Sequence, residues 1–237
     1  MAGKKKWHKR IPASPSSFLR QRGDKPPAKG ILIATEGVVT EAVYFAEVRN
    51  RLALPTVELL VEGKGIGDPR RLAEAALTEQ KKRRKAARDG ALGYAQVADF
   101  DELWIVFDTD IPNVHGKLHD GIQFAEAKNI RCAHSTPCFE YWLLLHRDRT
   151  TALMPKCADV VPRLAKALGA HYSKYDEASK NLIPPLVDYL ETAEANAVWV
   201  RKYHEDGGTD FPCNPSTEVD RLIAAIRDAV SPANQNK

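Results

Sequence analysis

The chain has 237 residues, 43% of them hydrophobic and 8% aromatic, enough to close one large core or two small ones and too apolar to stay disordered throughout. It holds no run of eighteen apolar residues, and no apolar h-region follows its Lys-rich start, so neither a membrane span nor a secretory signal is expected and the protein is read as cytoplasmic. The net charge of +4 is unevenly spread: residues 1–29 hold nine Lys or Arg against the single acid Asp24, which leaves 26 bases and 30 acids for the rest.

That basic stretch contains Pro12, Pro15, Pro26 and Pro27 with Ser14, Ser16 and Ser17, a composition that packs poorly. It reads as a flexible arm, either solubilising or in contact with a polyanion. The fold then starts at Gly30-Ile-Leu-Ile-Ala-Thr35, a buried strand ending at Glu36-Gly37, and Thr40 to Leu52 follows as a helix capped by Thr40. A second strand is expected at Thr56 to Val61. The loop Gly63-Lys-Gly-Ile-Gly67 lacks the spacing of a phosphate or dinucleotide loop and reads as a turn.

Asp68-Pro69 opens a long helix that ends in the basic run Lys81, Lys82, Arg83, Arg84, Lys85 and Arg88. The run covers several helix faces, so at least some of its charges are expected to face water, where they neutralise nucleic-acid phosphates or are simply solvated. Leu103-Trp-Ile-Val-Phe107 is a buried third strand that delivers Asp108-Thr-Asp110 at its end. A helix over Lys117 to Lys128 and a strand over Ile130 to Ala133 continue the alternation. From Cys138 the pattern turns helical: Phe139 to Leu145, Val160 to Leu168, Ile183 to Tyr203, and a last helix opened by Asn214-Pro215 and running through Ile226.

Strand and helix in alternation imply an α/β fold, a mostly parallel sheet flanked by helices, with a helical C-terminal part. Three segments are expected: the arm over 1–29, an α/β core over 30–146, and helices packed on it over 147–237. Ligands of such sheets bind at the carboxyl ends of the strands, where Glu36, Asp108 and Asp110 should converge. Asp108 and Asp110 project to the same side of an extended segment, and an oxygen-only donor set selects Mg²⁺ or Mn²⁺ over zinc. Acids at strand ends are also ordinary turn formers. Glu41, in the first turn of its helix, is read as a partner of the helix dipole.

The remaining polar residues admit two readings each. Glu140 either joins the metal cluster or caps its helix, and His146 reads as packed or capping rather than as a base. Lys174, between Tyr172 and Tyr175, can hold a phosphate while a neighbouring ring stacks a base. Cys132, Cys138, Cys157 and Cys213 form no C-x-x-C pair and read as reduced thiols, and Cys132, His134 and Cys138 match no zinc-finger spacing.

Thr35-Glu-Gly37 followed by Asp108-Thr-Asp110 resembles the Toprim pattern, in which a Glu after the first strand and an Asp-x-Asp after the third bind a divalent metal. Ser135-Thr-Pro-Cys-Phe-Glu-Tyr-Trp-Leu-Leu-Leu-His146 is similar to the signature of the RloB family, Toprim-like proteins of bacterial phage defence. Thr40-Glu41, Tyr44-Phe45, Tyr172 with Lys174, and Asn214-Pro-Ser-Thr217 extend the resemblance over Gly30 to Ile226. One departure lies in the signature itself, where Thr136 stands at a position expected to be Asn.

The resemblance implies a Toprim-like, metal-dependent endonuclease acting on RNA, such as tRNA, or on DNA, beside an RloA-like ATPase partner. In that role Glu36, Asp108 and Asp110 would hold Mg²⁺ or Mn²⁺, Glu140 or Glu41 would assist, and Lys174 would stabilise developing charge. A latent or non-catalytic effector docked on the ATPase shares every feature except turnover, and a nucleotidyl transferase would use the same acids. Assembly into a homo-oligomer is left open.

Overall fold

The structure, a computed structural model, describes residues 29–54, 56–61, 68–92, 97–109, 115–174, 176–209 and 211–229. The basic arm up to residue 28, the Gly63 to Gly67 loop, Asp110 and Tyr175 lie outside the described residues.

Strands β1 (Ile31–Thr35), β2 (Val57–Val61), β3 (Glu102–Asp108) and β4 (Ile130–Thr136) are all parallel, and the two-residue β5 (Ser216–Thr217) closes one edge antiparallel, in the order β2-β1-β3-β4-β5. Their sequences are apolar on both sides because both faces are covered. Alternate residues serve the two faces. Ile31, Ile33, Trp104 and Val106 point into a core shared with α1 (Thr40–Arg51), α4 (Phe139–Leu145), α5 (Cys157–Leu168), α6 (Leu190–Asp206) and α7 (Val219–Asp228). Leu32, Ala34, Ile105 and Phe107 point the other way, onto α2 (Pro69–Arg88) and α3 (His115–Glu126). The α/β fold with a mostly parallel sheet and a helical C-terminal part is as expected, and the first of its two cores runs from the sheet through the C-terminal helices.

Tyr44 organises the larger core. Its ring meets Phe45, Phe139, Trp142 and His146 edge-on at 5.4 to 6.2 Å, contacts worth about 0.5–1.5 kcal/mol each beyond area burial. Its hydroxyl donates to His146 Nε2 at 3.0 Å while His146 Nδ1 donates to the Trp142 carbonyl, also at 3.0 Å. Burial holds this histidine neutral, its pKa pushed down to about 4. His146 is thus a packed residue pinning α1 to α4.

Several expectations are corrected. Thr40 does not cap α1, whose N-cap is Val39 without a side-chain bond; the Thr40 hydroxyl instead lies 3.4 Å from that of Tyr172. The segment before α6 forms two short 3₁₀ turns, Glu177–Leu182 and Pro184–Tyr189, because Pro184 and Pro185 interrupt the helical hydrogen bonds. Asn214-Pro215 opens no helix. The Asn214 amide clasps the backbone of Met154 at 2.9 and 3.1 Å, Ser216 and Thr217 pair with β4, and α7 begins only at Val219.

The cysteines depart most from expectation. Cys138 and Cys157 are joined by a disulfide across a sequence separation of 19, whereas Cys132 and Cys213 belong to none. No spacing rule finds this pair, since it is the packing of α4 against α5 that brings the residue just ahead of α4 to the first residue of α5. No helix of the described residues is long and apolar enough to cross a membrane.

Candidate functional site

Asp108 is the last residue of β3, and its two carboxylate oxygens are used separately. Oδ1 accepts from the backbone amide of Phe139, the first residue of α4, at 2.9 Å, and Oδ2 lies 2.9 Å from Lys174 Nζ. The amide bond fixes the rotamer, and the exposed N–H groups of a helix start favour a negative charge there. The adjoining Thr109 donates its hydroxyl to Thr136 Oγ1 at 2.8 Å and its amide to the carbonyls of Ser135 and Pro137. Thr136, the departure from the family pattern, therefore fastens the end of β4 beside the end of β3.

Glu140 enters from the first turn of α4 and is fully buried. Tyr172 OH donates to its Oε1 at 3.2 Å, while Oε2 lies 3.5 Å from Lys174 Nζ and 3.2 Å from Cys157 Sγ. Glu140 thus joins the carboxylate group and does not merely cap its helix. Tyr172, 3% exposed, is spent on Glu140 and Thr40 and offers no face for stacking a base, contrary to the expectation for it.

The residue that sequence reasoning undervalued is Glu41. It is 3% exposed, and burial, reinforced by Asp108, raises its pKa from the usual carboxylate range to about 8, against the opposing pull of Lys174. Oε2 of this side chain is buried without a hydrogen-bond partner. A Cβ on Gly37 would overlap this carboxylate, so the glycine of Thr35-Glu-Gly37 is the space in which Glu41 sits. The glycine after β1 and the glutamate in the first turn of α1 thus belong to one unit, a signal present in the sequence as a Thr-Glu pair closely following the glycine.

Burial and Asp108 raise the Glu140 pKa as well, with Lys174 opposing. Lys174 is itself pushed up: burial acts against its charge, but Asp108 and Glu140 outweigh it. Carboxylates from β3 and α4 thus share one ammonium at the carboxyl edge of the sheet, and the buried Glu41 of α1 lies within its electrostatic reach. Glu36, directly after β1 and half-buried, stands at the same edge.

The basic run lies elsewhere. Helix α2 starts at the carboxyl edge and descends, so that Gln80 donates to the Phe100 carbonyl and Arg84 pairs with Asp99, both just ahead of β3. Lys81, Lys82, Arg84, Lys85 and Arg88 are exposed there, and Lys81, Arg84 and Arg88 line a depression of about 450 Å³. Arg83 is the exception and is corrected: it is buried, doubly bonded to Glu58 at 2.6 and 2.7 Å, and holds α2 against β2. Twenty helical residues put about 30 Å between the two ends of α2, so the basic stretch and the carboxylates occupy opposite edges of the sheet.

The family described as RloB-like protein has a model that matches residues 31–226, and the chain therefore belongs to the RloB-like family. No curated protein and no solved structure gives a significant match to it.

Proposed function

We propose that this RloB-like protein is a Toprim-like, metal-dependent endonuclease of RNA or DNA, the effector of a bacterial phage-defence system that works with an ATPase partner. The observation that carries the reading is the convergence of Glu41, Asp108 and Glu140 on Lys174 where the parallel strands end. Four titratable groups assembled mainly from apolar elements serve no packing purpose, and strongly shifted pKa values in such a cluster accompany chemistry.

The donor set suits Mg²⁺ or Mn²⁺: it consists of carboxylate oxygens, and Glu41 Oε2 is a buried acceptor without a partner. Asp108 and Glu41 would hold the ion with Glu36, and Asp110, two positions after Asp108 in the sequence, is the further carboxylate donor expected for it. When bound, it supplies a water of lowered pKa and neutralises charge at a scissile phosphate. Lys174 Nζ binds a non-bridging phosphate oxygen in exchange for its contact with Asp108, and Tyr172 keeps Glu140 oriented toward that ammonium.

The test is cleavage of labelled tRNA, total RNA, single-stranded DNA and plasmid with Mg²⁺, Mn²⁺ or EDTA, beside Asp108→Asn. Cuts that need metal and vanish in the variant support the reading. Identical cutting by the variant sinks it.

One observation favours a second reading, a latent effector. Lys174 already engages Asp108 and Glu140, an arrangement that closes the site until a substrate or partner withdraws the ammonium. Activity that appears only after the ATPase partner is added would select this reading.

A further inference from the structure

Helix α6 turns an unusual face to solvent. Trp199 and Tyr203, one turn apart, are 39% and 53% exposed and stacked on each other at 6.2 Å with their planes 24° apart. Large aromatic rings are costly to leave in water, and the core of this protein has taken its other tryptophans among the described residues, Trp104 and Trp142.

Two arginines that follow α4 lie along the same helix. Arg149 covers the Trp199 ring at 4.6 Å and Arg147 covers the half-exposed Tyr189 ring at 3.6 Å. Neither guanidinium has a carboxylate partner among the described residues, and the intervening Asp148 pairs with neither. An arginine held flat on a ring keeps its in-plane N–H donors directed outward, where they match phosphate oxygens.

The stripe has a direction. Asn196 of α6 reaches the Leu145 carbonyl at the end of α4, and Arg201 reaches the Thr217 carbonyl in β5, which pairs with the last residues of β4. Helix α6 thus climbs from Tyr189 toward the carboxyl edge of the sheet, and Tyr203 lies beyond Arg201. From Tyr189 to Tyr203 the stripe covers about 20 Å of helix axis.

From this juxtaposition of stacked, exposed rings and unpaired guanidiniums we infer that α6 is a binding platform for single-stranded nucleic acid, its unpaired bases stacking on Trp199 and Tyr203 and its phosphates meeting Arg147 and Arg149. Rings give sequence-tolerant stacking and guanidiniums give charge, the combination that single strands require and a stacked duplex cannot use. This deepens the nuclease reading by naming the form of substrate, and it stands on binding alone.

The experiment uses the full chain carrying Asp108→Asn, in EDTA, so that nothing is cut. Fluorescence anisotropy follows a labelled 15-nucleotide unstructured RNA, the DNA of the same sequence, and each as a duplex. Both single strands are expected to bind more tightly than their duplexes. Trp199→Ala and Tyr203→Ala should each weaken single-strand binding by about fivefold or more, whereas Trp199→Phe, which keeps a ring, should recover most of the loss. Circular dichroism checks that the exposed substitutions leave the fold intact.

A difference between the RNA and DNA arms would name the strand chemistry within the proposal. Unchanged affinity in both alanine variants, or preference for duplex, overturns it and leaves the stripe to a protein partner. Absence of cleavage by the unsubstituted protein, with this binding intact, counts against the nuclease reading and not against the platform.

Discussion

Lys174 Nζ lies 2.9 Å from Asp108 Oδ2, a contact between residues 66 positions apart that ties the loop after α5 to the end of β3. The same ammonium is 3.5 Å from Glu140, so its removal leaves two acids facing each other with no cation between them. Lys174→Ala is expected to cost about 2–3 kcal/mol, at or below the lower end for a broken buried pair because the lysine is one-quarter exposed. Thermal unfolding with and without Mg²⁺ checks the cause: the ion should stabilise the variant more than the parent. Equal shifts in both would show that no divalent ion replaces the ammonium.

Glu41 makes a prediction opposite in sign. Its folded pKa of about 8 lies above that of an unfolded carboxyl, so the native state holds a proton that the unfolded chain has released. The protein therefore loses stability as pH rises from about 4.5 through 8. Glu41→Gln removes that loss and should be more stable than the parent at pH 8, by about 4 kcal/mol, with little difference near pH 4.5. Metal-dependent cleavage should fall in the same variant. Urea unfolding at the two pH values reads the first effect.

Gly37→Ala tests position rather than charge. The added methyl overlaps the Glu41 carboxylate, which is the movable end of a side chain, so the carboxylate shifts and the backbone does not. Cleavage should fall by about tenfold or more, since displacement by an ångström is enough to spoil such a site, while stability changes by less than about 1 kcal/mol. An unaltered rate would separate Glu41 from the chemistry.

Titration of thiols in the unfolded, unreduced protein should find two of the four cysteines, and all four after reduction. Reduction should cost about 3 kcal/mol, the scale expected for a loop near this length. Four thiols from the outset would remove the disulfide.

Two buried histidines govern the acid side. His134 and His146 both have pKa values lowered to about 4 by burial, so between about 6.5 and 4 the unfolded chain takes up protons that the native state refuses. Stability should drop as pH falls through that window, by about 2 kcal/mol for each histidine at pH 5. Glu41→Gln is the right background, because Glu41 acts in the opposite direction. A flat profile between pH 7 and 5 in that background would mean that the two rings are not buried in neutral form.

Much of the frame was legible because parallel strands buried on both faces must be continuously apolar, and runs such as Ile31 to Ala34 and Leu103 to Phe107 have no other explanation. Asp108 was legible for the same reason, as the first charge after such a run, and Lys174 and Glu140 through the family signature. Glu41 was misjudged because its local environment, a helix first turn, suffices to explain an acid there. Only the third dimension shows it buried against residues more than sixty positions away. The Cys138–Cys157 bond and the inward turn of Arg83 were hidden likewise: both depend on which helices pack together, and a basic run gives no sign that one member serves β2.

The span of α2 sets a footprint. A strand advances about 3.4 Å per phosphate when stacked, so the length of α2, about 30 Å, matches roughly nine phosphates. Oligonucleotides much shorter than that can engage the carboxylates without touching the exposed Lys81 to Arg88 end of α2 at the opposite edge of the sheet. Salt sensitivity should therefore appear as substrate length grows past this limit, which makes chain length, and not sequence, the first property by which this protein would sort its nucleic acids.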